Sequence, residues 1–205
     1  MKIIDLTHTF TNSMPVFPGD NLPVLQEHID TDNDIVHYSL ESGMHIGTHM
    51  DAPLHMIPGG KKLSEISAEK FIAHGHLVDA RGKKEVGAEL LDGKEIHEGD
   101  CVIVYTGFDE KFREPAYYES YPDLTAEFAH RLVELKIKFV GMDTPSPDKA
   151  PYNVHRILLS KEILIIEGLN NLSQLMGIAQ FEVFALPAKF EAEAAPVRVI
   201  ARILT

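Results

Sequence analysis

The sequence predicts a single α/β domain over residues 1–205, with a mixed sheet and few helices. Three observations point there. Short apolar runs of strand length recur along the chain, the clearest being Asp100-Cys-Val-Ile-Val-Tyr-Thr106. A helical stripe at 125–135 lies between two such runs, giving the strand–helix–strand order of a βαβ unit. No internal repeat, low-complexity tract or linker divides the chain.

Taken in order, Lys2 to Leu6 reads as a first strand, and 12–20, with Pro15, Pro18 and Gly19, as an irregular loop. Ile35 to Glu41 alternates and is expected to feed the segment that follows it. Ile57-Pro-Gly-Gly-Lys-Lys is a turn, and His74 to Ala80 a strand. His74 and His76 have ligand-like spacing but no third partner nearby, so they read as structural or surface residues. Val86 to Leu91 is expected as a short helix. The aromatic-rich stretch 108–121 reads as an ordinary loop, ahead of a lid or a subunit contact.

Thr125 has the chemistry of an N-cap with Glu127 in the first turn, and Phe128, Ala129, Leu132, Val133 and Leu135 form one apolar stripe. Phe139 to Asp143 then reads as a strand, 155–161 as a second helix, and Leu164 to Glu167 as an apolar strand ending in a carboxylate. Leu172 to Met176 suggests one helical turn. Phe181 to Leu186 and Val197 to Ile203 complete the sheet.

Composition narrows the function. With 44% hydrophobic residues the chain can bury a real core. A single cysteine excludes an intramolecular disulfide and fits a reducing, cytoplasmic setting. Met-Lys-Ile-Ile-Asp-Leu-Thr-His lacks the apolar stretch of a secretory signal, and no run approaches the roughly 20 apolar residues of a membrane span. A net charge of −12 opposes a phosphate backbone. The expected partners are a small-molecule substrate and further copies of the chain, a dimer or higher, with neither nucleic acid nor membrane.

The chemistry concentrates in His45-Ile-Gly-Thr-His49-Met-Asp51-Ala-Pro-Leu-His55. Four ligand-type residues fall at odd positions, so an extended chain could turn them to one side. A helix would place Asp51 roughly 240° from His45, and Pro53 opposes its continuation. In a flat strand His45 and His49 would lie about 13 Å apart, too far to share an ion. Gly47 can supply the bend. The expectation is a kinked extended segment gathering imidazoles and a carboxylate around a divalent metal, zinc or manganese. Glu167 and Asp143 each end a strand. A buried carboxylate there needs an ion pair, a cap or a metal, and spacing does not choose between the two. Cys101 sits mid-strand and reads as a structural thiol.

The motif H-x-G-T-H-x-D-x-P-x-H resembles the signature of the cyclase-type metal-dependent hydrolases, whose best-known members are the bacterial kynurenine formamidases. Asp5-Leu-Thr-His8, Met14-Pro-Val-Phe-Pro-Gly-Asp20, Gly141-Met-Asp-Thr-Pro-Ser-Pro-Asp148, and His155 followed by Glu167 extend the resemblance over essentially the whole chain. It implies a swivelling β/β/α-type fold. It also implies two ions per subunit: one on His45, His49 and Asp51, with Asp51 bridging to a second on His155 and Glu167. Asp143, Ser146 and Asp148 remain as residues that orient the ligands.

The implied chemistry is hydrolysis of an aryl formamide such as N-formylkynurenine. A divalent ion activates water near neutral pH, and His55 is suited to deliver a proton to the leaving nitrogen. His55 could instead be a fourth ligand. Phe17 is either a packing residue or, as the resemblance implies, a ring over the substrate where the family's formamidases commonly carry Trp. Alternatives are a hydrolase acting on a cyclic amide or lactone, and a metal-dependent small-molecule binding protein.

Overall fold

A computed structural model describes residues 1–204. The first strands are Lys2–Asp5 (β1), Val24–Asp30 (β2), Ile35–Glu41 (β3) and His49–Asp51 (β4). Ile72–Asp79 (β5), Glu85–Val86 (β6), Cys101–Tyr105 (β7) and Asp123–Leu124 (β8) follow. The helices Ala126–Glu134 (α1) and Asn153–Leu159 (α2) alternate with Phe139–Met142 (β9) and Leu164–Glu167 (β10), and Phe181–Pro187 (β11) and Ala194–Ile203 (β12) end the sheet. Of the helix expected over 86–91, Val86 belongs to β6 and only Ala88–Leu91 makes a 3-10 turn, and the turn expected at 172–176 is a 3-10 turn at Leu172–Leu175.

Eight strands make one mixed sheet in the order β1-β12-β11-β5-β7-β9-β10-β4. Its centre, β5-β7-β9-β10, is parallel. Every residue of β7, β9 and β10 is buried, which explains their continuous apolar character. Alternation sorts these strands between two cores: Ile103, Phe139 and Ile166 face one, and Val102, Val140 and Ile165 face another completed by the helices. The N-cap of α1 is as expected, with Thr125 Oγ1 accepting from the Phe128 N–H at 3.1 Å. Phe128, Ala129 and Leu132 of that helix are buried.

The sheet closes on itself. β4 pairs with β10 on one side and with residues 194–196 of β12 on the other, giving a barrel-like ring. β12 therefore starts three residues before the expected Val197. Ala194, Ala195 and Pro196 look like connecting chain until β4 supplies their partners.

Two expectations change. Ile35–Glu41 is a strand but does not feed the metal segment. It pairs with β2 in a hairpin outside the ring, and all seven of its residues are exposed. Its alternation marks one apolar face of a ribbon, shared with Ile29. The stretch 108–121 is not an ordinary loop either. It folds into two 3-10 turns and buries Phe108, Phe112, Tyr117 and Tyr121 against Met14 and Ile46, because its aromatics have that motif-bearing segment to pack on. Among the described residues no helix is long and apolar enough to cross a membrane.

Behind the ring closure, the chain after β10 passes close to the kink before β4. Gly168 has φ +62°, and a Cβ there would lie 2.5 Å from the Gly47 carbonyl oxygen. Gly168→Ala is expected to lower stability by about 1–3 kcal/mol. Gly43→Ala, with open space around it, should stay within about 0.5 kcal/mol of the parent. Equal denaturant midpoints for the two variants would contradict this account of the contact.

Candidate active site

Strand register builds the site. His49 lies opposite Glu167 across the antiparallel β4–β10 pair, and Asp51 opposite Ile165. Met50 and Ile166 point into the ring, so His49, Asp51 and Glu167 share the other face. Gly47, at φ +56°, makes the bend that the spacing demanded. Thr48 locks it: its hydroxyl donates to the Gly168 carbonyl and accepts from the His8 N–H at 3.0 Å. Pro53 opens the 3-10 turn that carries His55. His155 comes from the first turn of α2.

All six expected polar residues converge. Ligand atoms of His49, Asp51 and Glu167 lie within 4.8 Å of one another, and so do those of His45, Asp51 and His55. Asp51 thus belongs to both trios. His49 Nε2 is 3.2 Å from Glu167 Oε2, and His155 Nε2 is 3.3 Å from Glu167 Oε1. Asp51 Oδ1 also lies 3.0 Å from His45 Nδ1 and 3.6 Å from His49 Nε2, the two histidines that the resemblance places with it. His55, its ring centre 4.2 Å from that of His45, sits within a ligand set as well as beside the cleft.

Electrostatics show what this arrangement lacks. Asp51 is fully buried, yet neither of its carboxylate oxygens accepts a hydrogen bond among the described residues, and His49 Nε2 is likewise unpartnered. His45 Nδ1 approaches to 3.0 Å without hydrogen-bond alignment. Burial depresses the imidazoles, but the carboxylates outweigh it. Glu167 and Asp51 carry His49 up to about 9, and Asp148 with Glu167 carries His155 up to about 10. Burial also raises Asp51, yet the surrounding histidines hold it well below the usual carboxylate range. For His55, burial together with His45 and His155 lowers the pKa. Two buried carboxylates ringed by imidazoles, one of them with both oxygens unpartnered, fit a divalent transition ion in both donor type and charge.

Of the three residues expected to orient ligands, Asp148 touches one. Its Oδ1 is 2.6 Å from His155 Nδ1, and its Oδ2 accepts from the Val154 N–H. Ser146 donates to the Asp148 carbonyl at 2.7 Å. Asp143 contacts no candidate ligand. It accepts from the N–H groups of Thr106, Gly107 and Phe108, fixing the start of the aromatic stretch.

The cluster opens into a cleft of about 270 Å³, room for a small ligand. Phe17 stands at its rim, 41% exposed, edge to face with Tyr118 at 5.8 Å. Phe112, Tyr118 and Tyr152 also line the cleft, and the sequence reading assigned none of them to it. Tyr117-Tyr118 was the available signal; nothing in the spacing told which wall it joins.

The family described as "Putative cyclase" matches residues 4–149. A kynurenine formamidase of Bacillus cereus is 27% identical, with 97% of this chain and 96% of that protein covered. A solved structure described as a potential metal-dependent hydrolase with cyclase activity superposes with a TM-score of 0.81 at 25% identity, covering 98% of this chain and 96% of that one. Isatin hydrolase A from Labrenzia aggregata, bound to benzyl benzoate, gives a TM-score of 0.85 at 25% identity, with 100% and 94% covered. The fold is shared with those solved structures. The chain belongs to the cyclase family.

The Asp148–His155 contact yields a direct test. Replacing Asp148 by Asn leaves an oxygen for Val154 but removes the negative charge that orients the His155 ring. Metal affinity, measured by chelator competition, is expected to fall about 10- to 100-fold. Unchanged affinity would show that His155 is held by other means or is not a ligand.

Proposed function

We propose that this chain is a metal-dependent amidohydrolase cleaving an aryl formamide of the N-formylkynurenine kind to formate and an arylamine. The carrying observation is a buried, donor-starved Asp51 shared by two ligand-type trios beneath an aromatic-walled cleft. His45, His49, Asp51, His155 and Glu167 would hold two divalent ions, zinc or manganese. Such an ion polarises a carbonyl and generates a nucleophile from water near neutral pH.

The chain's own residues supply the rest. Phe17, Phe112 and Tyr118 present ring faces and edges to an aryl group and exclude water around it. His55, uncharged near neutral pH because its pKa is lowered, accepts the proton of the attacking water at a ring nitrogen. It then returns that proton to the leaving nitrogen as the amide breaks. Asp148 holds the His155 ring in place.

A second reading is favoured by the isatin hydrolase likeness: ring opening of a cyclic amide by the same residues. A metal-dependent binding protein without turnover is the third reading. We also propose a cytoplasmic homo-oligomer of this single domain. Support for association is the hairpin β2–β3, one face of which exposes Ile29, Val36, Tyr38 and Leu40. Sedimentation should give a mass of at least two chains, and Val36→Lys combined with Leu40→Lys should shift it toward one. A monomeric parent protein would end that part of the proposal.

Purified protein should carry one to two equivalents of divalent transition metal and hydrolyse formanilide or N-formylkynurenine. His55→Ala should keep most of its metal while kcat falls about 10²-fold or more. Loss of metal from that variant would make His55 a ligand. Trace metal only, with none rebound on titration, would defeat the proposal. Opening of a cyclic amide with no formamide turnover would move the assignment to the second reading.

A further inference from the structure

Charged side chains reach the cleft from two places. One is the cluster around Glu167. The other is the loop 12–20, which contributes Asp20 beside Phe17. Among the described residues no lysine or arginine lines the cleft. Arg113 donates to the Ser13 carbonyl and Arg156 to that of Met56, a residue of the cleft wall, and neither guanidinium lines the cleft.

Asp20 is held in a defined turn. Its N–H donates to the Phe17 carbonyl at 3.0 Å, with Gly19 at φ +103° between them. Its neighbours are aromatic, the Phe17–Tyr118 edge-to-face pair. The Tyr118 hydroxyl is a neutral donor, and burial with the charges of Glu167 and Asp20 raises its pKa further above the usual tyrosine value. The rim therefore combines one carboxylate with two π-faces, the chemistry that attracts an ammonium group. A substrate carboxylate at this rim would meet Asp20 and find no cation to pair with. The net charge of −12 adds the same bias at longer range.

Resting on the hydrolase reading above, we propose that the rim of Asp20, Phe17 and Tyr118 selects substrate by charge. Aryl amides whose far end is neutral or carries an ammonium group, alone or beside a carboxylate as in N-formylkynurenine, are accepted, and those with a carboxylate and no ammonium there are rejected. Asp20 is the residue that sets this preference.

The test uses metal-loaded protein and three formanilides differing only at the para position: aminomethyl, hydrogen and carboxylate. The expected order of kcat/KM is aminomethyl, then hydrogen, then carboxylate. About tenfold should separate the extremes, the scale of two exposed charge contacts of opposite sign. Added salt should narrow the spread. Asp20→Asn should bring the extremes within about threefold, and Asp20→Lys should reverse them. A wild-type preference for the carboxylate, or an order unchanged in Asp20→Asn, would overturn the inference. If none of the three is hydrolysed, the hydrolase reading fails by itself. The charge order is then read from calorimetric binding of the three corresponding anilines, where its absence would overturn the inference.

Discussion

Asp51 carries a negative charge at a place shut off from solvent, and among the described residues neither of its oxygens accepts a hydrogen bond. Removing a carboxylate from water costs several kcal/mol even after relaxation, and Glu167 lies within the same cluster. Protonated imidazoles are one source of compensation, and the raised pKa values of His49 and His155 express that demand. A divalent ion is the other. It would fill the empty lone pairs and leave the imidazoles neutral, as ligands must be. The surrounding chain makes sense as a device for keeping this carboxylate dry while giving it a cation.

The same three residues close the barrel. β4 is only His49–Asp51, yet it pairs with both β10 and β12. Barrel closure and site assembly are thus one event in the fold. The pairing that closes the ring also puts Glu167 opposite His49. A register slip of one residue would exchange Met50 for the ligands and turn the site into the apolar ring. Thr48, tied to Gly168 and His8, pins that register from the kink side. Asp143 does comparable work for the aromatic wall, holding three backbone N–H groups where β7 ends.

Much of this was legible in the sequence, for identifiable reasons. The strands β7, β9 and β10 announce themselves because burial on both faces demands continuous apolar residues. α1 is legible because its stripe and its Thr125 cap are local. His45 to His55 is legible because the odd spacing, Gly47 and Pro53 restrict the backbone to a bent, extended path. What stayed hidden is non-local. Residues 194–196 become a strand only by meeting β4, and β2 only by meeting β3. The aromatics of 108–121 could be counted but not placed, since a cleft wall has no periodicity. The division of His45, His49 and His55 between the two trios follows from a kink angle, which spacing does not contain.

The central claim is that Asp51 is compensated by divalent metal that it holds together with the histidines on either side of it. Anomalous diffraction at the edge of the bound metal tests it most directly. The account predicts density peaks within about 2.2 Å of Asp51 oxygens and of histidine nitrogens, the normal range for carboxylate and imidazole ligands. One peak should lie on the Glu167 side and one on the His45 side. Metal bound elsewhere, with Asp51 still buried and its oxygens unfilled, would contradict it.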